Sequence, residues 1–351
     1  AGAGPGDASP RGVEPLGLCM ASDALALPLA ALAGPAAARR LASAAQAWHR
    51  ALTTSGGLQQ LEDATPKPVF VLGGRPPAHE VFDWAGGGWE PTAPMARPRS
   101  NCVAASCAGR IWVVGGWAEG GVLVTEDEAF DPAAGKWEPM PPMPTRRAQA
   151  CAAACGGLMC VAAGIVGDGM HVATAEGFDP ERNEWRGLPP MATRRLGCAM
   201  APLRRAFYVL GGTSASGRHL KTCERLPVGG EVWEPVPDLP SPLVSCAAVA
   251  YGGKLYAIGG WGRAETLDST FCFDPAVGVW QAMALRMCAP RAVFAAAPAL
   301  GGVLVVGGRT PGAQATASVE LLDPESPTPE WAPMPPMAVA RTGCVAVAMW
   351  R

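Results

Sequence analysis

From residue 69 onward, short apolar runs alternate with clusters of glycine, proline and aspartate. Residues 102–147 show one full cycle. An alternating run at 102–107 breaks at Ala108-Gly109-Arg110. Ile111-Trp112-Val113-Val114 then runs into Gly115-Gly116, a loop follows, and 126–131 forms a third run. A turn over 132–135 leads to a fourth run opened by Trp137. Runs of four to six residues bounded by turn formers predict a four-stranded antiparallel meander, with strands A to D in chain order.

The cycle returns six times. Doublets stand at Gly73-Gly74, Gly115-Gly116, Ala163-Gly164, Gly211-Gly212, Gly259-Gly260 and Gly307-Gly308, every 48 residues from the second onward. Trp89, Trp137, Trp185, Trp233, Trp280 and Trp331 keep the same beat. One meander cannot bury both of its faces, whereas six stacked radially can, so the period predicts an all-β, six-bladed propeller over 66–351. The first repeat lacks strand A before residue 69, and the chain carries a surplus apolar run at 343–349. That surplus strand is expected to complete the first blade, removing two free sheet edges.

The doublet after a hydrophobic strand, followed by Phe-Asp-Pro and a spaced Trp, resembles the kelch family. Phe-Asp-Pro stands at 130–132, 178–180 and 273–275, with Leu322-Asp323-Pro324 close to it; Phe82-Asp83-Trp84 and Leu226-Pro227 depart, making the first and fourth blades the least regular. The resemblance implies a protein-binding propeller. Kelch-like copper oxidases need histidine and tyrosine converging at the ring centre. Four histidines, of which His49 lies before the repeats, and three tyrosines supply no such set. No catalytic residue, cofactor or metal site is expected. His79 and His171 read as solvated loop residues.

Before the repeats, residues 1–22 read as a disordered tail rich in Gly, Pro and Ala, with Met20 a candidate natural start. Residues 23–65 have helical spacing: Leu32, Ala36, Leu41, Ala44 with Ala45, Trp48 and Leu52 recur at steps of about one helical turn, with Gly56-Gly57 as the stop. The run 24–38 is too short to cross a membrane, and Asp23 stands where a signal peptide would carry basic residues. Residues 34–52, with Leu58-Gln59-Gln60-Leu61, look like the second half of an F-box, Leu27-Pro28 forming a shortened front end. That resemblance implies that Leu27, Leu32, Leu41 and Trp48 offer an apolar face to the adaptor subunit of a cullin–RING (SCF-type) ubiquitin ligase. The alternative is a kelch scaffold for a cytoskeletal or signalling partner, without a ligase role.

A net charge of −2 does not favour nucleic acid. Of the twelve cysteines, Cys102, Cys198, Cys246 and Cys344 open strand A of different blades and Cys151 stands one place off. Equivalent positions in adjacent blades should lie too far apart to bridge, so reduced cysteines in a cytoplasmic or nuclear protein are expected.

Antiparallel connectivity sends the D-to-A and B-to-C loops to one face, and that face collects arginines. Arg99, Arg147, Arg195, Arg291 and Arg341 share one register, as do Glu80, Glu128, Glu176, Glu224 and Glu320, which predicts structural bracing between blades. An out-of-register set on these loops, Arg75, Arg97, Arg218, Arg263, Arg286 and Arg309, with Trp117 and Trp261, forms the expected partner-binding set. Arginine's planar fork pairs with carboxylate or phosphate, so the expected partner is an acidic or phosphorylated peptide.

Overall fold

The computed structural model describes residues 68–84, 86–299 and 301–349. All of them belong to the unit Thr65–Arg351. The helical reading of residues 23–65 therefore lies outside the described residues.

Six four-stranded antiparallel sheets follow one another. The first blade holds β1 (Val69–Arg75), β2 (Glu80–Asp83) and β3 (Gly88–Pro91). The second holds β4 (Val103–Cys107), β5 (Arg110–Val114), β6 (Asp127–Asp131) and β7 (Lys136–Met140). The third runs through β8 (Cys151–Cys155), β9 (Leu158–Ala162), β10 (Ala175–Asp179) and β11 (Glu184–Leu188). The fourth has β12 (Ala199–Leu203), β13 (Ala206–Leu210), β14 (Cys223–Pro227) and a short β15 (Glu234–Val236). The fifth has β16 (Ala247–Tyr251), β17 (Lys254–Ile258), β18 (Ser269–Asp274) and β19 (Val279–Arg286). The sixth has β20 (Ala295–Ala299), β21 (Gly302–Val306), β22 (Val319–Leu322) and β23 (Trp331–Met334).

The last strand, β24 (Thr342–Ala348), pairs antiparallel with β1, with Val69 opposite Ala348 and Leu72 opposite Val345. The C-terminal strand therefore closes the ring as the sequence predicts.

Strand B explains why the core forms between blades. β9, β13 and β21 are buried along their whole length. Each carries a continuous apolar run because a neighbouring blade covers either face. The recurring tryptophans tie those faces together. Trp137, Trp185, Trp233 and Trp280 donate their indole N–H to the carbonyls of Ala93, Pro141, Pro189 and Pro237 in the preceding blade, at 2.7–3.1 Å. Trp89 does the same across the closure, to the Pro335 carbonyl at 2.9 Å. In the first, second, third and fifth blades the Phe before Asp packs its ring on that Trp, at 5.1 Å for Phe130–Trp137 and 5.2 Å for Phe178–Trp185. The Asp carboxylate accepts the turn amides, Ala133 and Ala134 in the second blade. The Phe-Asp-Pro…Trp signature is thus one strand–turn–strand unit riveted to its neighbour.

Candidate functional site

The residues that build the propeller's mouth follow from the five registered arginines. Each is almost fully buried, between 0% and 2% exposed. Arg99 donates to Glu128 at 2.6 Å, Arg147 to Glu176 at 3.1 Å and Arg195 to Glu224 at 2.8 Å; Arg291 pairs with Glu320 and Arg341 with Glu80. The carboxylate lies in the blade that the arginine's loop enters. The arginine's own carbonyl accepts the N–H of the second doublet glycine in the blade behind, as from Gly116 to Arg147 at 2.9 Å and from Gly308 to Arg341 at 2.9 Å. One residue therefore grips two blades, and these arginines are braces.

Two residues beyond each brace, and beyond Leu243 at the same place in the fifth blade, the chain turns through the left-handed region, at Asn101 (φ 52°), Gln149 (51°), Gly197 (60°), Ser245 (51°), Val293 (54°) and Gly343 (65°). This turn aims the peptide groups around the axis. Asn101 N–H donates to the Gly343 carbonyl, Gln149 to Asn101, Gly197 to Gln149, Ser245 to Gly197, Val293 to Ser245, and Gly343 to Val293, all at 2.7–3.1 Å. The result is a closed ring of six backbone hydrogen bonds, one from each blade. Nothing in the residue types announces it, because the six positions carry five different side chains; only their constant place two residues after the brace could have given it away.

Above the ring opens a cavity of about 360 Å³ lined by Arg75, Trp117 and Arg309 over Asn101, Gln149, Val293 and Gly343, with Gly121 and Thr342 completing the wall. Arg75, Trp117 and Arg309 each follow their Gly doublet directly, as do Ile165, Thr213 and Trp261. The bridges Ser100–Trp117, Ala148–Ile165, Leu196–Thr213, Val244–Trp261 and Ala292–Arg309, and the pairing of Arg75 with Thr342, place all six at equivalent points of the rim. Arg75 and Arg309 are thus in register with Trp117 and Trp261, although the sequence reading separates them. Going round, the sixth and first blades present adjacent arginines, flanked by tryptophans from the fifth and second; Ile165 and Thr213 occupy the far side. Arg75 is steadied by donating Nε–H to Ser100 Oγ at 3.0 Å.

The other expected binding residues are not gathered there. Trp261 shares the rim position but does not line the cavity. Arg97 is paired to Glu126 at 3.4 Å and Arg286 to Asp268 at 2.7 Å, both at the surface. Arg218 and Arg263 are exposed on outer loops. Leu27, Leu32, Leu41 and Trp48 lie outside the described residues. One expectation is corrected. His79 is buried, not solvated, with the edge of its ring toward Trp137, and burial together with Arg341 and Arg99 lowers its pKa to about 4. Cys151, one place off the register of the other strand-A cysteines, has its sulfur 3.3 Å from that of Cys198 in the next blade. Among the described residues no cluster of three or more His, Cys, Asp or Glu could hold a metal.

This geometry defines a six-bladed β-propeller with a cationic, aromatic-flanked mouth. Comparison with known proteins places it further. The Kelch motif matches residues 98–144, 146–192 and 242–284, which are the second, third and fifth repeats. Three of the six blades of this propeller thus carry the Kelch motif. A solved structure titled "Structure of YjhT" superposes with a TM-score of 0.64 at 15% identity, covering 72% of this chain and 90% of that one, a likeness of fold alone. No curated protein matches the chain.

Proposed function

We propose that the propeller is a protein-interaction module that receives an acidic segment, carboxylate- or phosphate-bearing, at the mouth between the first and sixth blades. The observation that carries this is the cavity's charge: its lining includes Arg75 and Arg309 and no carboxylate, in a chain of net charge −2. The brace arginines cannot serve, since each is buried and paired. Trp117 beside Arg75 offers an apolar surface for the residue next to the acidic group. A charge-assisted hydrogen bond is worth about 1.5–3 kcal/mol, so losing both arginines weakens binding by roughly 10²-fold or more. The test is fluorescence anisotropy of the full chain with Asp/Glu-rich peptides, unmodified and phosphorylated. Arg75→Ala/Arg309→Ala should weaken binding by roughly 10²-fold or more at unchanged melting temperature, and added salt should weaken binding to the native chain. Unchanged affinity in the double variant would move the binding surface elsewhere.

Within this reading the segment carrying Leu27, Leu32, Leu41 and Trp48 delivers the captured protein to the adaptor of a cullin–RING ubiquitin ligase. Its support is the F-box resemblance of residues 34–61. Full-length chain should co-purify with the adaptor, and Leu41→Ala/Trp48→Ala should lose it while keeping peptide binding at the mouth. Failure of the native chain to bind adaptor would leave a kelch scaffold without a ligase role.

A further inference from the structure

The strand-A cysteines carry an inference independent of what binds at the mouth. In most blades the first strand-A position points back toward the preceding blade, as Cys102 does toward Phe70 and Leu72, and Cys198 toward the third blade. Successive side chains in a strand face opposite ways. Cys151, one place later than its counterparts, therefore points forward to the fourth blade, into the same buried cluster as Cys198. The sulfurs stand 3.3 Å apart, and a disulfide requires about 2.05 Å, so the gap to close is of order 1 Å.

We propose that Cys151 and Cys198 form a reversible disulfide that staples the third blade to the fourth when the protein meets a peroxide. The two thiols are not equivalent. Hydrogen bonding with Cys151 and the nearby Arg195 guanidinium hold the Cys198 thiol below its usual range, while burial pushes Cys151 well above it. Cys198 thiolate is then the attacking sulfur. It breaks the peroxide O–O bond, taking one oxygen as a sulfenic acid while the other leaves as hydroxide and is protonated to water. Cys151 sulfur displaces the sulfenic oxygen, which leaves as a second water once it has taken the Cys151 proton. In sum two thiols and one hydrogen peroxide give one disulfide and two waters. Cys198 follows Gly197 and Cys151 stands two residues after Gln149, the two residues joined by one hydrogen bond of the ring, and Gln149 lines the mouth. The disulfide closes a loop 47 residues apart in sequence, so oxidation should stabilise the fold by restricting the unfolded chain.

The experiment treats reduced full-length protein with hydrogen peroxide, blocks the remaining thiols and maps tryptic peptides without reduction. The expected product links 148–182 to 196–204, two hydrogens lighter than the separate peptides, with fragmentation placing the bond at Cys151 rather than Cys155 or Cys160. The melting temperature should rise by several degrees and return with dithiothreitol. Cys151→Ala should lose both the linked peptide and the rise, whereas Cys246→Ala should keep both. Absence of the linked peptide from folded native protein, or a bond mapped to Cys155 or Cys160, would overturn the proposal. A linked peptide without a change in melting temperature would overturn the staple.

Discussion

Five blades hold a buried arginine on a buried glutamate, and the fifth blade holds neither. At the arginine's place it carries Leu243, and at the glutamate's place Phe271, whose cross-strand partner Ala257 corresponds to the Val209 that faces Glu224 in the blade before. Both side chains sit in one apolar cluster. A third change goes with them. In the fourth and sixth blades the glutamate also accepts a loop N–H, from Ala192 and from Cys288. The equivalent residue of the fifth blade is Pro240, which has no N–H to give. What survives is the backbone tie, Gly212 N–H to the Leu243 carbonyl at 2.8 Å. The propeller therefore needs the main-chain link at every joint, but the ion pair only where one of its members is already buried.

The comparison can be broken most directly in the third blade, where Pro144 likewise lacks an N–H and the Thr145 hydroxyl donates to Glu176 at 2.6 Å instead. Arg147→Leu alone strands the Glu176 carboxylate in the core and should cost about 3–5 kcal/mol in denaturant unfolding. Adding Glu176→Phe, which copies the fifth blade, should recover most of that loss and leave the protein within about 1–2 kcal/mol of native. A double variant as unstable as the single one would mean that the charges contribute more than their mutual compensation.

A smaller effect distinguishes the first blade from the fifth. There the Arg341–Glu80 brace lies beside His79, whose pKa falls from 6.5 to about 4 through burial first and Arg341 and Arg99 next. The folded state binds the proton less readily than the unfolded chain, so this residue withdraws stability as pH falls from about 6.5 toward 4. Unfolding at pH 5 should be easier than at pH 7, with about 2 kcal/mol attributable to this histidine. His79→Gln should flatten that part of the pH profile. An unchanged slope would assign the acid sensitivity to other groups.

The smallest effect concerns the ring. Most of its members are residues that tolerate positive φ or pay little for it, but Val293 is β-branched at φ 54°. Val293→Asn should keep the backbone hydrogen bond to Ser245 and raise stability by about 1 kcal/mol in thermal or denaturant unfolding. Destabilisation would show that the valine's contacts outweigh its backbone strain.

The period alone was enough to determine the blade number, the strand roles, the closing strand and the brace arginines with their glutamates. Each of these is a contact repeated once per unit, so its residue types recur at a fixed interval and can be read without coordinates. The candidate site was legible only in part. Arg75, Trp117 and Arg309 could be assigned to the right face, yet their common rim position is masked because the six blades place different side chains there. Arg97 and Arg286 look available in the sequence but have surface partners in Glu126 and Asp268, from loops whose conformation does not repeat. The backbone ring, the buried His79 and the Cys151–Cys198 contact were decided by tertiary structure. Each depends on how closely neighbouring blades approach at the taper of the ring, and that distance is set by the packing of all six blades together rather than by any one repeat.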